Sequence, residues 1–144
     1  MDSILSNKAL LIPFAAWCVA QVIKVIIGLI RERRLNLFYM ISMGGMPSAH
    51  TTLVCALATT VAIIEGFNSS VFAIAALFAV VVMYDAAGIR QTVGVQSAIL
   101  NRMLDELFKG KPVFEQRLRE LIGHTKVEVI TGAVLGILLA WWWA

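Results

Sequence analysis

The chain has 144 residues, 60% of them hydrophobic and only 15% charged, with a formal net charge of +3. Soluble domains run nearer half apolar and a quarter charged. The balance therefore excludes an ordinary water-soluble protein, and a nucleic-acid partner is not expected.

Taken in chain order, the apolar runs predict four membrane-spanning helices, over about residues 8–30, 50–64, 71–87 and 127–144. Each comes close to or exceeds the length needed to cross ~30 Å of hydrocarbon at 1.5 Å per residue. The second is the shortest. The first carries Lys24 near its end, and an ionisable side chain inside a span marks a functional site unless it snorkels to the headgroups. Before the second span stands "GGMPSAHTT" (44–52), which places His50 at the span's first residue. "EGFNSS" (65–70) is a turn. The third span ends in "YDAAGIRQ" (84–91), where Asp85 and Arg90 form either a structural ion pair or a ligand-facing Arg steadied by an Asp.

Between the third and fourth spans, "SAILNRMLDELF" (97–108) has apolar residues at helical spacing and is expected to lie along the interface as an amphipathic helix. "VFEQRLRELIG" (113–123) reads as a second short helix. The last span starts after His124, ends in the interfacial anchor "WWW" (141–143), and carries Gly132 and Gly136 as a face for close helix packing. The fold class is thus all-α: a single integral-membrane domain with a four-helix core and an interfacial segment. Four short spans bury little, and a homodimer would add to it. Cys18 and Cys55 both lie in apolar runs, without metal or disulfide spacing, and read as small hydrophobes.

Four spans put both ends of the chain on one side. Of the twelve Lys and Arg, only Lys8 belongs there. The other eleven lie on or near the 31–49 and 88–126 segments, which the positive-inside rule assigns to the cytoplasm. The two histidines, His50 and His124, each stand at the cytoplasmic start of a span, with Lys24, Arg31 and Arg90 at matching depth. A cationic pocket with two imidazoles beside helix N-termini suits a phosphate group.

These residues resemble the motifs of the type 2 phosphatidic acid phosphatase superfamily, which includes the vanadium haloperoxidases: K-x6-R-P, then P-S-G-H, then S-R-x5-H-x3-D. Lys24 and Arg31 keep the first spacing, "PSAH" (47–50) answers the second motif, and "HTKVE" (124–128) answers the end of the third. The chain departs from the pattern at Glu32 for Pro, Ala49 for Gly and Glu128 for Asp, and Leu118 stands where the third-motif Arg belongs. It also has four spans where the membrane phosphatases usually have six. These departures resemble a small divergent branch of the superfamily.

The resemblance implies a metal-independent, cofactor-free lipid phosphatase, and the charge division puts its site at the cytoplasmic membrane face. Its substrate would be a phospholipid such as phosphatidylglycerophosphate or phosphatidic acid, or an isoprenyl phosphate. His124 would be the nucleophile, oriented by Glu128, and His50 the general acid and base. Lys24, Arg31 and Arg90 would neutralise the phosphoryl oxygens, with hydrogen bonds from Ser48 and the Ala49 N–H, and Asp85 in support. The competing expectation is a non-catalytic membrane scaffold or anionic-lipid binder descended from such an enzyme. A CDP-alcohol phosphotransferase, suggested by "DAAGIR", would need several metal-binding Asp residues where only Asp85 and Asp105 stand near.

Overall fold

The computed structural model describes residues 6–33, 45–107 and 125–144, and these are mostly helical, with no strand among them. Helix α1 spans Lys8–Glu32, α2 Ala49–Glu65, α3 Ser70–Tyr84, α4 Arg90–Leu107 and α5 Lys126–Trp143; a π-helical turn, Asp85–Ile89, joins α3 to α4. The expected all-α membrane architecture holds, and its four-span detail holds roughly. Three stretches are long and apolar enough to cross a membrane: Lys8–Ile30, Ser70–Leu104 and Lys126–Trp143. Helix α2, with 17 residues, is a shorter apolar helix.

Local chemistry explains the element ends. Ser48 caps α2, its hydroxyl accepting from the Thr51 N–H at 3.4 Å. Ser69 caps α3 by accepting from the Phe72 N–H at 3.1 Å. Thr125 and Glu128 form a reciprocal capping box at the start of α5, which satisfies two N–H groups that a helix start leaves without partners.

The amphipathic segment after α3 differs from its expected form. It does not begin near residue 97 as a separate helix. It begins at Arg90 and continues from α3 without a break, through the π turn. The run "AAGIRQT" looks like an interruption because a glycine and polar residues follow one another. The backbone instead absorbs the change by widening one turn, which packs against α5 with Ala86 buried. The short helix expected over 113–123 lies outside the described residues.

The interior is made of small side chains. The largest wholly buried ones are Thr51, Thr52, Thr60 and Ser48, and Ala16, Ala20, Ala56 and Ala140 are fully enclosed. Large apolar residues face outward instead: Ile30, Ile74, Leu77, Tyr84 and Trp142 are each about two-thirds exposed or more. In water that distribution would be costly. In lipid it is ordinary, because helices there associate by close backbone packing and not by hiding apolar surface.

Helix α2 sits centrally, against α1, α3 and α5. It runs parallel to α5, with Ser48 beside Gly132 and Thr52 beside Gly136. Helix α1 runs antiparallel to both: Ile12 and Ala16 pack with Ala56 and Ala140, and the Lys8 ammonium donates to Ala144 O at 3.0 Å. The buried stripe Ile12, Ala16, Ala20 and Lys24 recurs every four residues, one helical face turned inward. This register places Lys24 and the starts of α2 and α5 at one end of the bundle, opposite Lys8 and Ala144.

Candidate active site at the head of the bundle

Three separate chain segments meet at that end. The first is Lys24, only 4% exposed although ionisable. The second is the turn into α2. Gly45 there has φ of 99°, a conformation that glycine adopts without strain. It lies so close that a β-carbon on it would sit 3.5 Å from Lys24 Cγ. The third is the first turn of α5, where the half-buried Glu128 acts electrostatically on Lys24.

Ser48 ties the second segment to the third. Its backbone N–H donates to Glu128 O at 3.0 Å. Its carbonyl accepts from the Thr52 N–H at 3.0 Å, and the Thr52 hydroxyl lies within bonding distance of both Ser48 O, at 2.9 Å, and Gly132 O, at 3.1 Å. One hydroxyl proton serves one of these acceptors at a time. The Ser48 hydroxyl accepts from the Thr51 hydroxyl at 3.0 Å. Ser48 and Ala49 are wholly or almost wholly buried. Both sit at the anchored start of α2.

His50, the second residue of α2, is exposed, on the face turned away from the buried Ala49, Thr51 and Thr52. The Glu128 carboxylate accepts from the Thr125 N–H at 3.1 Å through Oε2, so it reaches back over the residue that follows His124. His124 itself lies outside the described residues. Arg31 belongs to the last turn of α1 and Arg90 opens α4, but their side chains also fall outside the described part. Asp85, half-buried, opens the π turn that ends at the residue before Arg90. Among the described residues, no three His, Cys, Asp or Glu side chains gather closely enough to hold a metal ion.

Sequence reasoning did not single out the Thr51 and Thr52 hydroxyls, Gly45, or the π turn. It also passed over Gln21, a polar residue in the first span that the rule applied to Lys24 would have flagged.

The chain belongs to the divergent PAP2 family, whose model matches residues 5–139. A relative from Bacillus subtilis (strain 168), named "uncharacterized membrane protein YuiD", is 40% identical over 147 residues, covering 94% of this chain and 93% of its own. No solved structure matches the chain. The protein is an integral membrane protein related to the PAP2 phosphatases.

Proposed function

We propose that the protein is a lipid phosphate phosphatase working at the headgroup level through a phosphohistidine intermediate. The observation that carries this reading is the meeting of Lys24, the His50 turn and the start of α5 at one end of a membrane bundle. In the proposed cycle a His124 ring nitrogen attacks phosphorus. The bond to the lipid oxygen breaks, and His50 gives that alkoxide its proton. His50 then takes a proton from water, whose oxygen attacks phosphorus and frees phosphate and His124. Glu128 steadies the His124 ring from one helical turn away. Lys24, Arg31 and Arg90 offset the charge on the phosphoryl oxygens. Ser48 and Ala49 contribute at the α2 N-terminus, Ser48 by fixing its direction and Ala49 through its N–H. The substrate is a lipid phosphomonoester, phosphatidylglycerophosphate or phosphatidic acid, or an isoprenyl phosphate.

A second reading is a protein that binds anionic lipid without turnover. One observation favours it: His50, the acid and base that turnover needs, is exposed on the face of α2 turned away from the buried Ala49, Thr51 and Thr52. Release of inorganic phosphate from these lipids in mixed micelles by the purified protein separates the two. Steady release supports the enzyme, and lipid binding without release supports the binder.

Arg90 takes the place of the missing third-motif Arg in this proposal. A phosphoryl group with about two charges in a low-dielectric site needs more than Lys24 and Arg31. Arg117 and Arg119 flank the motif position by one residue, and on a helix that turns a side chain by about 100°. A guanidinium holds two phosphoryl oxygens at once, which an ammonium cannot do. Arg90→Lys is expected to lose most activity, and Arg117→Lys and Arg119→Lys little. A sensitive Arg119 with an indifferent Arg90 would return the role to the third motif.

The catalytic face is proposed to be cytoplasmic, from the eleven-to-one division of Lys and Arg. In a chain lacking Cys18 and Cys55, single cysteines at Ser42 or Val113 should resist an impermeant maleimide added to intact cells and react after lysis. Labelling of intact cells would reverse the topology.

A further inference from the structure

One polar side chain in the bundle has no use in the scheme above. Gln21 is 7% exposed, and its Oε1 is buried without a hydrogen-bond partner among the described residues. Burying an amide acceptor without a donor costs free energy that a Leu or Ala would not. The inward stripe of α1 beside it is otherwise carried by Ile12, Ala16 and Ala20, which bury no polar side-chain atom.

Its position is informative. Gln21 precedes Lys24 by three residues, so it lies on the same flank of α1, about 4.5 Å deeper along the axis. The antiparallel register that sets Lys8 by Ala144 and Ile12 by Ala140 brings residues 20 and 21 to the level of Gly132, and Gly132 touches Ser48. The unpaired amide oxygen is therefore on a residue level with the anchored start of α2, one helical turn deeper than Lys24. Among the described residues the other buried side-chain polar atom without a partner, Thr60 Oγ1, is twelve residues beyond Ser48 along α2 and belongs to the opposite end of the bundle.

We propose that Gln21 is a further ligand-contacting residue of this site, its amide hydrogen-bonding a phosphate ester held by Lys24. This inference rests on the phosphate-site reading above and adds a residue that lies outside its three motifs. An amide is suited to the task. Its oxygen accepts from a protonated phosphoryl oxygen, and the same group turned over donates from nitrogen to an unprotonated one. A phosphomonoester changes between those states near neutral pH. A neutral partner below Lys24 serves both without adding charge to the interior.

Binding of radiolabelled inorganic phosphate to the full chain in detergent micelles tests this, alongside thermal unfolding without phosphate. Gln21→Leu should bind phosphate about tenfold more weakly and yet unfold at a higher temperature, because it removes the unpaired buried acceptor. Opposite signs in the two readouts are not what a packing residue gives. Gln21→Glu, nearly the same shape, should bind more weakly still, since its charge opposes the anion. Phosphate affinity within twofold of wild type in both variants would overturn the inference while leaving the phosphatase reading intact. Wild-type protein that binds phosphate, weakens as described on substitution, but releases none from lipid esters would support the inference and remove the enzyme. Wild-type protein that binds no phosphate would overturn both.

Discussion

His124→Ala is expected to insert in the membrane and unfold like wild type, and to release phosphate from lipid phosphomonoesters at least ~10³-fold more slowly. The size of the loss follows from the proposed role. Only a nucleophile at the start of α5 can accept the phosphoryl group there, and an alanine leaves direct attack by water as the sole route. The capping box should survive the change, because Thr125 and Glu128 bond to each other's backbone and not through residue 124. His50→Ala should lose less when the leaving group is a weakly basic phenolate, since such a group departs without an acid. Phosphate release by His124→Ala near the wild-type rate would end the assignment.

Gly136→Ala and Gly132→Ala should each destabilise the bundle by about 1–3 kcal/mol, and Gly132→Ala should also abolish turnover. A β-carbon on Gly136 would overlap the Thr52 carbonyl oxygen and lie 3.1 Å from Ala56 N. One on Gly132 would meet Ser48 O at 2.5 Å and Ser48 N at 3.2 Å. These neighbours are backbone atoms of a buried helix, so no side chain can swing aside and the helices must part. Parting them at Gly132 draws Ser48 from Glu128 O and the Thr52 hydroxyl from Gly132 O, which dismantles the head of the bundle. Gly88 is the control: a β-carbon there meets nothing within 4 Å, and Gly88→Ala should leave the unfolding temperature nearly unchanged. Thermal unfolding in detergent with circular dichroism measures all three.

Much of this architecture is legible in the residues because the membrane imposes a simple grammar. Long apolar runs give the spans, and Gly132 with Gly136 gives the close-packed face that α2 occupies. Lys24 stands out because a charge in a span needs a reason, and the structure supplies Gly45 and Glu128 as its neighbours. The π turn was not legible. Widening one turn leaves no compositional mark, and a glycine followed by polar residues looks the same whether a helix stops or bulges. For that reason the apolar spacing places the helix start near residue 97, while α4 begins at Arg90. The inward direction of Ser48 was hidden too, because a serine before a helix reads equally as a cap or as a ligand donor, and only the approach of Gly132 shows that it is enclosed.

The most direct test of the phosphatase reading is to catch the intermediate. A lipid phosphomonoester labelled at phosphorus is mixed with the purified protein, and the reaction is stopped in alkali, where a phosphohistidine survives. Label should remain on the wild-type chain, be lost on mild acid treatment, and be missing from His124→Ala. Steady phosphate release from the wild type with no label ever held by the chain, or label held equally by His124→Ala, would contradict the proposed chemistry.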